Sequence, residues 1–249
     1  MKGILCSLAI SILQALGAPL KSKSSSASKP PFFILAGDST TATQSSNGGG
    51  WGDGFLNTTL FNGASGHNYG HNGATTVSFR AGGDWANVLA TVESVSADYH
   101  PFVTIQFGHN DQKVAANISV SQYTDNLEKF VAEVRDVDAT PILVTPLSRR
   151  NYDNSTGHPA IIEDLADQTA ATITAAGRSG TAVIDLNKAS TAYLNAIGPE
   201  KAWSYNLNAD DHTHLNVEGS VVFGGMVAEL IQREFPELKR EGFLRYNDK

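Results

Sequence analysis

The sequence predicts an α/β fold with a mostly parallel central sheet covered by helices on both faces. Three observations carry this expectation: short apolar runs rich in β-branched and aromatic residues recur along the chain, helical patterns fall between them, and the residues that follow the runs are polar. Strands expected at Phe32 to Ala36, Phe102 to Phe107, Pro141 to Thr145 and Thr181 to Asp185 alternate with helices, which calls for crossover connections and hence a parallel sheet buried on both sides.

The first run ends in Gly37-Asp38-Ser39-Thr40, a turn of small, acidic and hydroxyl residues able to lift one serine into solvent. From Thr41 to Gly83 glycine is abundant and no convincing strand stands out, so long active-site loops are expected there, with one weak strand near His67 to Gly70. Between Ser121 and Val137 the apolar residues Tyr123, Leu127, Phe130, Val131 and Val134 recur at three- and four-residue intervals and predict a core-facing helix. An Ala/Thr-rich helix is expected over Ile161 to Ala176, ended by Gly177, and another over Val217 to Phe235, stopped by Pro236.

The chain has 249 residues, enough for one sizeable core, and a formal charge of -7 with no Lys/Arg cluster, which excludes a general polyanion binder. Residues 1–17 have the pattern of a secretion signal: Lys2, then an apolar stretch from Ile4 to Leu16, then small residues at Ala15-Leu16-Gly17. That stretch is shorter than the roughly 20 residues needed to span a bilayer. Residues 18–30 contain the Lys/Ser tract of a flexible spacer, leaving 31–249 as the single expected domain of a secreted, extracellular protein. The one cysteine, Cys6, lies within the signal, so the mature chain is expected to have neither disulfide nor thiol chemistry. Asn57, Asn117 and Asn154 open N-glycosylation sequons in polar, turn-like surroundings.

In such sheets the chemistry sits beyond the carboxyl ends of the strands. Three segments are expected at that edge: Gly37-Asp38-Ser39-Thr40, Gly108-His109-Asn110-Asp111 and Pro146-Leu147-Ser148-Arg149-Arg150. Near the other end of the chain, Asp211-His212-Thr213-His214 places a carboxylate and an imidazole three residues apart, so the acid can orient the base. An alcohol nucleophile needs a base, an orienter and donors for the developing oxyanion. Ser39 is the nucleophile, His214 the base and Asp211 the orienter, and the backbone N–H of Ser39 at an expected helix N-terminus, the backbone N–H of Gly73 and the side-chain amide of Asn110 supply the donors. These residues together indicate a serine hydrolase. Because His214 must be neutral to take a proton, activity is expected to fall at acidic pH.

Gly-x-Ser-x-Gly is absent, which argues against the α/β-hydrolase elbow. His67 and His71 have the spacing of helical metal ligands, but their glycine-rich surroundings do not predict a helix and no third ligand is suitably spaced, so no metal site is expected. Trp51, Trp85 and Trp203 each offer a face for a sugar ring or an anchor for core or loop; only Trp51, in the loop after the nucleophile, is kept as a substrate contact. Arg149 and Arg150 are candidates for bidentate binding of a uronate carboxylate, against the alternative of solvated surface charge.

Gly37-Asp38-Ser39, Gly73, Gly108-x-Asn110-Asp111 and Asp211-x-x-His214 resemble, in order and approximate spacing, the four blocks of the SGNH (GDSL-type) hydrolases, over most of the mature chain. Gly-Asp-Ser-Thr followed by Trp51-Gly52, then Gly-His-Asn-Asp and Asp-His-Thr-His, is similar to the rhamnogalacturonan acetylesterase group of carbohydrate esterases, as is Val144 to Arg150. Asn72-Gly73-Ala74-Thr75 stands where the family usually has Asn-Gly-Arg-Ser. The resemblance implies a flavodoxin-like three-layer α/β/α fold, Ser39, Asp211 and His214 as triad, and Ser39, Gly73 and Asn110 as oxyanion hole. It also implies removal of acetyl groups from pectic polysaccharide without a cofactor. A monomer with an acetylated polysaccharide substrate and no nucleic-acid or membrane partner is expected. The alternatives are an acetylxylan or general short-chain carbohydrate esterase, which would share every catalytic residue, and a non-catalytic carbohydrate-binding protein on the same scaffold.

Overall fold

The computed structural model describes residues 29–246, so the expected signal and nearly all of the spacer, with Cys6, lie outside the described residues. Its elements run β1 (Pro31–Gly37), α1 (Gly52–Thr58), β2 (Ser65–Asn68), α2 (Thr76–Ala81), α3 (Asp84–Val95), β3 (His100–Gln106), α4 (Val120–Asp136) and β4 (Thr140–Val144). There follow a short hairpin of β5 (Tyr152–Asp153) and β6 (Ala160–Ile161), then α5 (Ala166–Ser179), β7 (Ala182–Ile184), α6 (Leu186–Trp203), α7 (Val217–Glu234) and α8 (Pro236–Arg240).

The main sheet has five strands in the order β2-β1-β3-β4-β7, all parallel. Because successive strand residues face opposite ways, Phe33, Leu35, Phe102, Ile142, Val144 and Ile184 pack with the apolar faces of α1, α6 and α7. Ile34, Ala36, Val103, Ile105 and Leu143 pack on the other side against Phe79 of α2, Trp85, Val88 and Val92 of α3, and the inward faces of α4 and α5. The result is three layers, with the flavodoxin-like strand order in which ligands bind where the order reverses, between β1 and β3. Ser39 follows β1 and Asn110 follows β3.

The four expected strands and the helix from Ser121 form, the latter capped by the Ser119 side chain, which accepts from the Gln122 N–H at 3.1 Å. Three expectations are corrected. The helix expected from Ile161 starts at Ala166, because Ile161 pairs with Tyr152 in the hairpin; it runs through Gly177 and ends at Gly180, whose φ of 58° makes it the left-handed cap. Pro236 ends α7 but also opens α8, a place where its missing N–H costs nothing. The glycine-rich stretch holds more regular structure than its composition suggests: α1, α2 and the parallel edge strand β2, which lies two residues earlier than expected.

Candidate active site

At the end of β1 the chain must turn sharply beneath its neighbours. A Cβ on Gly37 would meet the Gln106 carbonyl oxygen at 2.7 Å and collide with the Thr41 hydroxyl, so only glycine fits. Asp38 then organises the turn. Its Oδ1 accepts the Thr40 N–H at 2.9 Å and the Thr40 hydroxyl at 2.8 Å, while its carbonyl accepts the N–H groups of Thr41 at 3.1 Å and Ala42 at 3.0 Å. This single turn replaces the helix N-terminus expected at Ser39. The carbonyls of Thr40, Thr41 and Ala42 are taken by the N–H groups of Trp51, Gly52 and Gly50, so no helical ladder can propagate.

Ser39 is not lifted into solvent as expected but stays buried, because His214 covers it: its Oγ lies 2.8 Å from His214 Nε2, although the two residues are 175 positions apart in sequence. His214 Nδ1 lies 2.8 Å from Asp211 Oδ2. An ionised carboxylate only accepts, so Nδ1 carries the proton, Nε2 is the acceptor and the Ser39 hydroxyl donates to it. The other oxygen of Asp211 accepts the N–H groups of Thr213 at 3.0 Å and His214 at 2.8 Å. Partial burial tends to raise this carboxyl, but the hydrogen bonds from His214 and Thr213, with the imidazole beside it, outweigh burial and hold it below its ordinary value.

Asn110 is buried at the mouth of β3, its Nδ2 donating to the Ala74 carbonyl at 3.0 Å and its Oδ1 accepting from Lys113 Nζ at 2.6 Å. The same contact ties the turn that holds Gly73 to the site. That turn is fastened at its start by the His71 N–H on the Gly37 carbonyl at 3.0 Å and closed by the Ala74 N–H on His71 at 3.1 Å. Gly73 has a φ of 80°, a left-handed backbone that favours glycine, and open space where a Cβ would stand.

Ser39, His214, Asn110, Lys113, Arg149 and Asn151 line one cleft of about 290 Å³. A more open depression of about 490 Å³ adjoins it, sharing Asn151, Thr213 and His214 and continuing over Asn208, Asp210 and His212. His109 also lines the cleft and pairs with the buried Asp38, Oδ2 to Nδ1 3.7 Å. Burial would raise the Asp38 carboxyl, yet His109 and the Thr40 donors hold it low. Asp111, also buried, is raised by burial despite accepting from the Thr76 hydroxyl at 2.6 Å and N–H at 2.9 Å.

Two candidate substrate contacts are overturned. Trp51 is fully buried in the core against Phe55, its indole N–H on Gln106 Oε1 at 3.0 Å, and has no face for a sugar. Arg150 is also fully buried. Its Nε donates to Asn206 Oδ1 at 2.5 Å and one terminal nitrogen donates to the carbonyls of His214 at 2.6 Å and Asp211 at 3.3 Å, so it anchors the loop that carries the base. Burial pushes this guanidinium down to about 10, against the opposing pull of Asp211. Arg149 does reach the cleft, with Nε on Thr213 Oγ1 at 3.2 Å and one terminal nitrogen on Asp164 at 3.0 Å. The tryptophan with an open face is Trp203, 45% exposed, edge-on to His212 and donating its N–H to the Arg150 carbonyl at 3.0 Å. Lys113, three residues after Asn110, escaped notice because its signal is only that i,i+3 spacing within a turn.

Asn57, Asn117 and Asn154 are all exposed, but Asn57 lies on α1 and not in a turn. Among the described residues no group of three or more His, Cys, Asp or Glu is arranged to hold a metal, and no helix is long and apolar enough to cross a membrane.

The sequence profile of the GDSL-like Lipase/Acylhydrolase family matches residues 35–222. The rhamnogalacturonan acetylesterase RhgT of Bacillus subtilis (strain 168) is 30% identical over 197 residues, 74% of this chain and 80% of RhgT. YesY of the same strain, named a probable rhamnogalacturonan acetylesterase, is 29% identical over 138 residues, 51% of this chain and 60% of YesY. Among solved structures, YxiM of Bacillus subtilis superimposes with a TM-score of 0.71 at 22% identity over 83% of this chain and 57% of that one. An acetylxylan esterase from Geobacillus stearothermophilus gives 0.58 at 19% identity over 83% and 94%. The chain thus spans less than two thirds of YesY and of the YxiM structure, and the two structural likenesses speak for the fold.

Proposed function

Because the chain belongs to the GDSL-like lipase/acylhydrolase family, we propose that it is a carboxylic ester hydrolase that removes O-acetyl groups from a plant cell-wall polysaccharide, with acetylated rhamnogalacturonan as the leading substrate. The observation that carries this is the unbroken relay from Ser39 Oγ through His214 to Asp211, both steps 2.8 Å. Ser39 attacks the acetyl carbonyl carbon as His214 Nε2 takes the hydroxyl proton, and Asp211 stabilises the imidazolium. The oxyanion is held by the N–H groups of Ser39 and Gly73 and by the Asn110 amide. Collapse expels the sugar alkoxide, which leaves as the alcohol with the proton from His214. Water, deprotonated by the same imidazole, then attacks acetyl-Ser39 and releases acetate.

The rhamnogalacturonan preference is supported by RhgT, the relative with the broadest coverage given above, and by Arg149, which lines the cleft with the nucleophile and is a cation suited to a uronate polymer. Secretion is part of the proposal and is supported by the basic and apolar pattern of residues 1–17; glycosylation is supported by the exposure of all three sequon asparagines. Ser39→Ala, with its circular dichroism spectrum retained, is expected to abolish acetate release from p-nitrophenyl acetate and labelling by a serine-directed phosphonate. Substantial residual turnover would remove Ser39 from its role. Acetate release compared on acetylated rhamnogalacturonan and acetylated xylan tests the substrate, with faster xylan deacetylation counting against the preference.

A further inference from the structure

We propose that Lys113 is a positioning residue for the oxyanion hole, acting through Asn110; this rests on the assignment of Ser39 as nucleophile and Asn110 as oxyanion donor. An amide offers two N–H hydrogens and one oxygen. In Asn110 one hydrogen is spent on the Ala74 carbonyl at 3.0 Å and the oxygen on Lys113 Nζ at 2.6 Å, which leaves one hydrogen for the cleft that Asn110 shares with Ser39. The orientation of the amide is chemically unique, because a carbonyl oxygen can only accept and an ammonium can only donate.

The terminal torsion of an asparagine is broad and nearly two-fold, so an unsupported amide turns easily. Turned over, it would aim its oxygen at the developing oxyanion and convert a stabilising donor into a repulsive acceptor. The Ala74 carbonyl opposes that state at one end of the amide and the ammonium opposes it at the other, since the nitrogen of the amide cannot accept from it. The bond is short, as charge-assisted hydrogen bonds are, and it draws electron density from the amide, which strengthens the remaining N–H as a donor. Local backbone geometry makes the contact possible: the Gln112 N–H bonds the Gly108 carbonyl and the Lys113 N–H bonds the Asn110 carbonyl, both at 3.1 Å, folding Lys113 back over Asn110. Water could satisfy the same oxygen, but it could also donate to or accept from either end of the amide and brings no charge.

The test uses p-nitrophenyl acetate, a neutral ester with no carboxylate for a lysine to bind. Removing a whole oxyanion donor costs about a hundred- to a thousandfold in rate, so loss of its support is expected to cost a smaller share. Lys113→Met should lower kcat about tenfold with KM within about twofold, and Lys113→Arg, which retains a donor and the charge, should recover most of the loss. In an Asn110→Ala background Lys113→Met should add less than about a twofold further loss, because the amide it supports is gone. An unchanged kcat in Lys113→Met, or a loss that multiplies with that of Asn110→Ala, would overturn the proposal. So would a defect confined to KM on acetylated pectic polymer, which would make Lys113 a direct contact for uronate. Lys113 is exposed, so a retained melting temperature is expected and separates these outcomes from misfolding. Wild-type protein that neither hydrolyses the ester nor takes a phosphonate label would sink the assignment of Ser39 and Lys113's role with it, whereas failure of the Lys113 variants alone leaves an active, labelled enzyme.

Discussion

Replacing Arg150 with methionine separates an anchoring arginine from a substrate-binding one. The stem is kept, and three acceptors lose the guanidinium: Asn206 Oδ1, the Asp211 carbonyl and the His214 carbonyl, the last of which keeps the Leu207 N–H at 2.9 Å. Hydrogen bonds from a charged group are worth about 1.5–3 kcal/mol each, so three of them, one of which is long, amount to about 5 kcal/mol. Against this stands the cost of burying the charge, which even against the pull of Asp211 pushes the guanidinium down to about 10; at about 1.4 kcal/mol per pH unit below its ordinary value the substitution returns about 3 kcal/mol. The net loss is about 2 kcal/mol, which for a domain of this size lowers Tm by about 4–8 °C. The effect on catalysis is larger, because the loop bearing Asp211 and His214 is no longer held from beneath. A displacement of about 1 Å at the base costs about a hundredfold, so kcat on p-nitrophenyl acetate is expected to fall by about that factor while KM changes little. Differential scanning calorimetry and steady-state kinetics read both quantities. Unchanged Tm and kcat on the neutral ester, with KM raised only on a uronate polymer, would refute the anchoring role and restore the arginine to the substrate.

Asp211→Asn is expected to reduce kcat by about 10⁴-fold, since an amide can hold the wrong imidazole tautomer, and a loss below tenfold would exclude Asp211 as the orienter. The same carboxyl is held below its ordinary 3.8, so its contribution to stability is fully present above that value and is lost as pH falls through the lower folded value. Wild-type Tm should therefore drop more steeply below about pH 4 than that of Asp211→Asn, and parallel Tm–pH curves would contradict it. Trp51→Phe, which removes an indole N–H from Gln106 and leaves a small void, is expected to cost about 1–2 kcal/mol of stability with KM on polymer unchanged. A raised polymer KM at unchanged stability would mean that Trp51 touches sugar after all.

Much of the fold was legible because its signals are local. The runs at Phe32 and Phe102 are apolar on both strand faces, as strands covered by two helical layers must be, and the periodicity of Tyr123 to Val134 is a helix with one buried side. Helix α1 was not legible, since Gly52-Asp53-Gly54 has poor intrinsic propensity and the helix is held by burial of Trp51 and Phe55 against α7. The edge strand β2, Ser-Gly-His-Asn, has almost no β propensity of its own and exists because β1 offers it a ladder. At the site, Ser39, Asn110, Asp211 and His214 were legible from residue type and order. Trp51, Arg150 and Lys113 were not, because an indole, a guanidinium and an ammonium look alike in sequence whether they face a substrate, a core or another side chain.

The amino-acid sequence alone determined which groups are available: a serine in a tight turn after a buried strand, an amide at the end of the next, and an acid three residues before an imidazole. Those depend on covalent order and on short-range sterics, which act over a few residues. Only the tertiary structure decided that the hydroxyl and the imidazole, 175 positions apart, meet at 2.8 Å, and that Arg150 lies under the loop while Arg149 lies beside the cleft. Burial and long-range hydrogen bonding are properties of the packed layers, and neighbouring arginines acquire opposite roles when the backbone between them passes from the rim into the core.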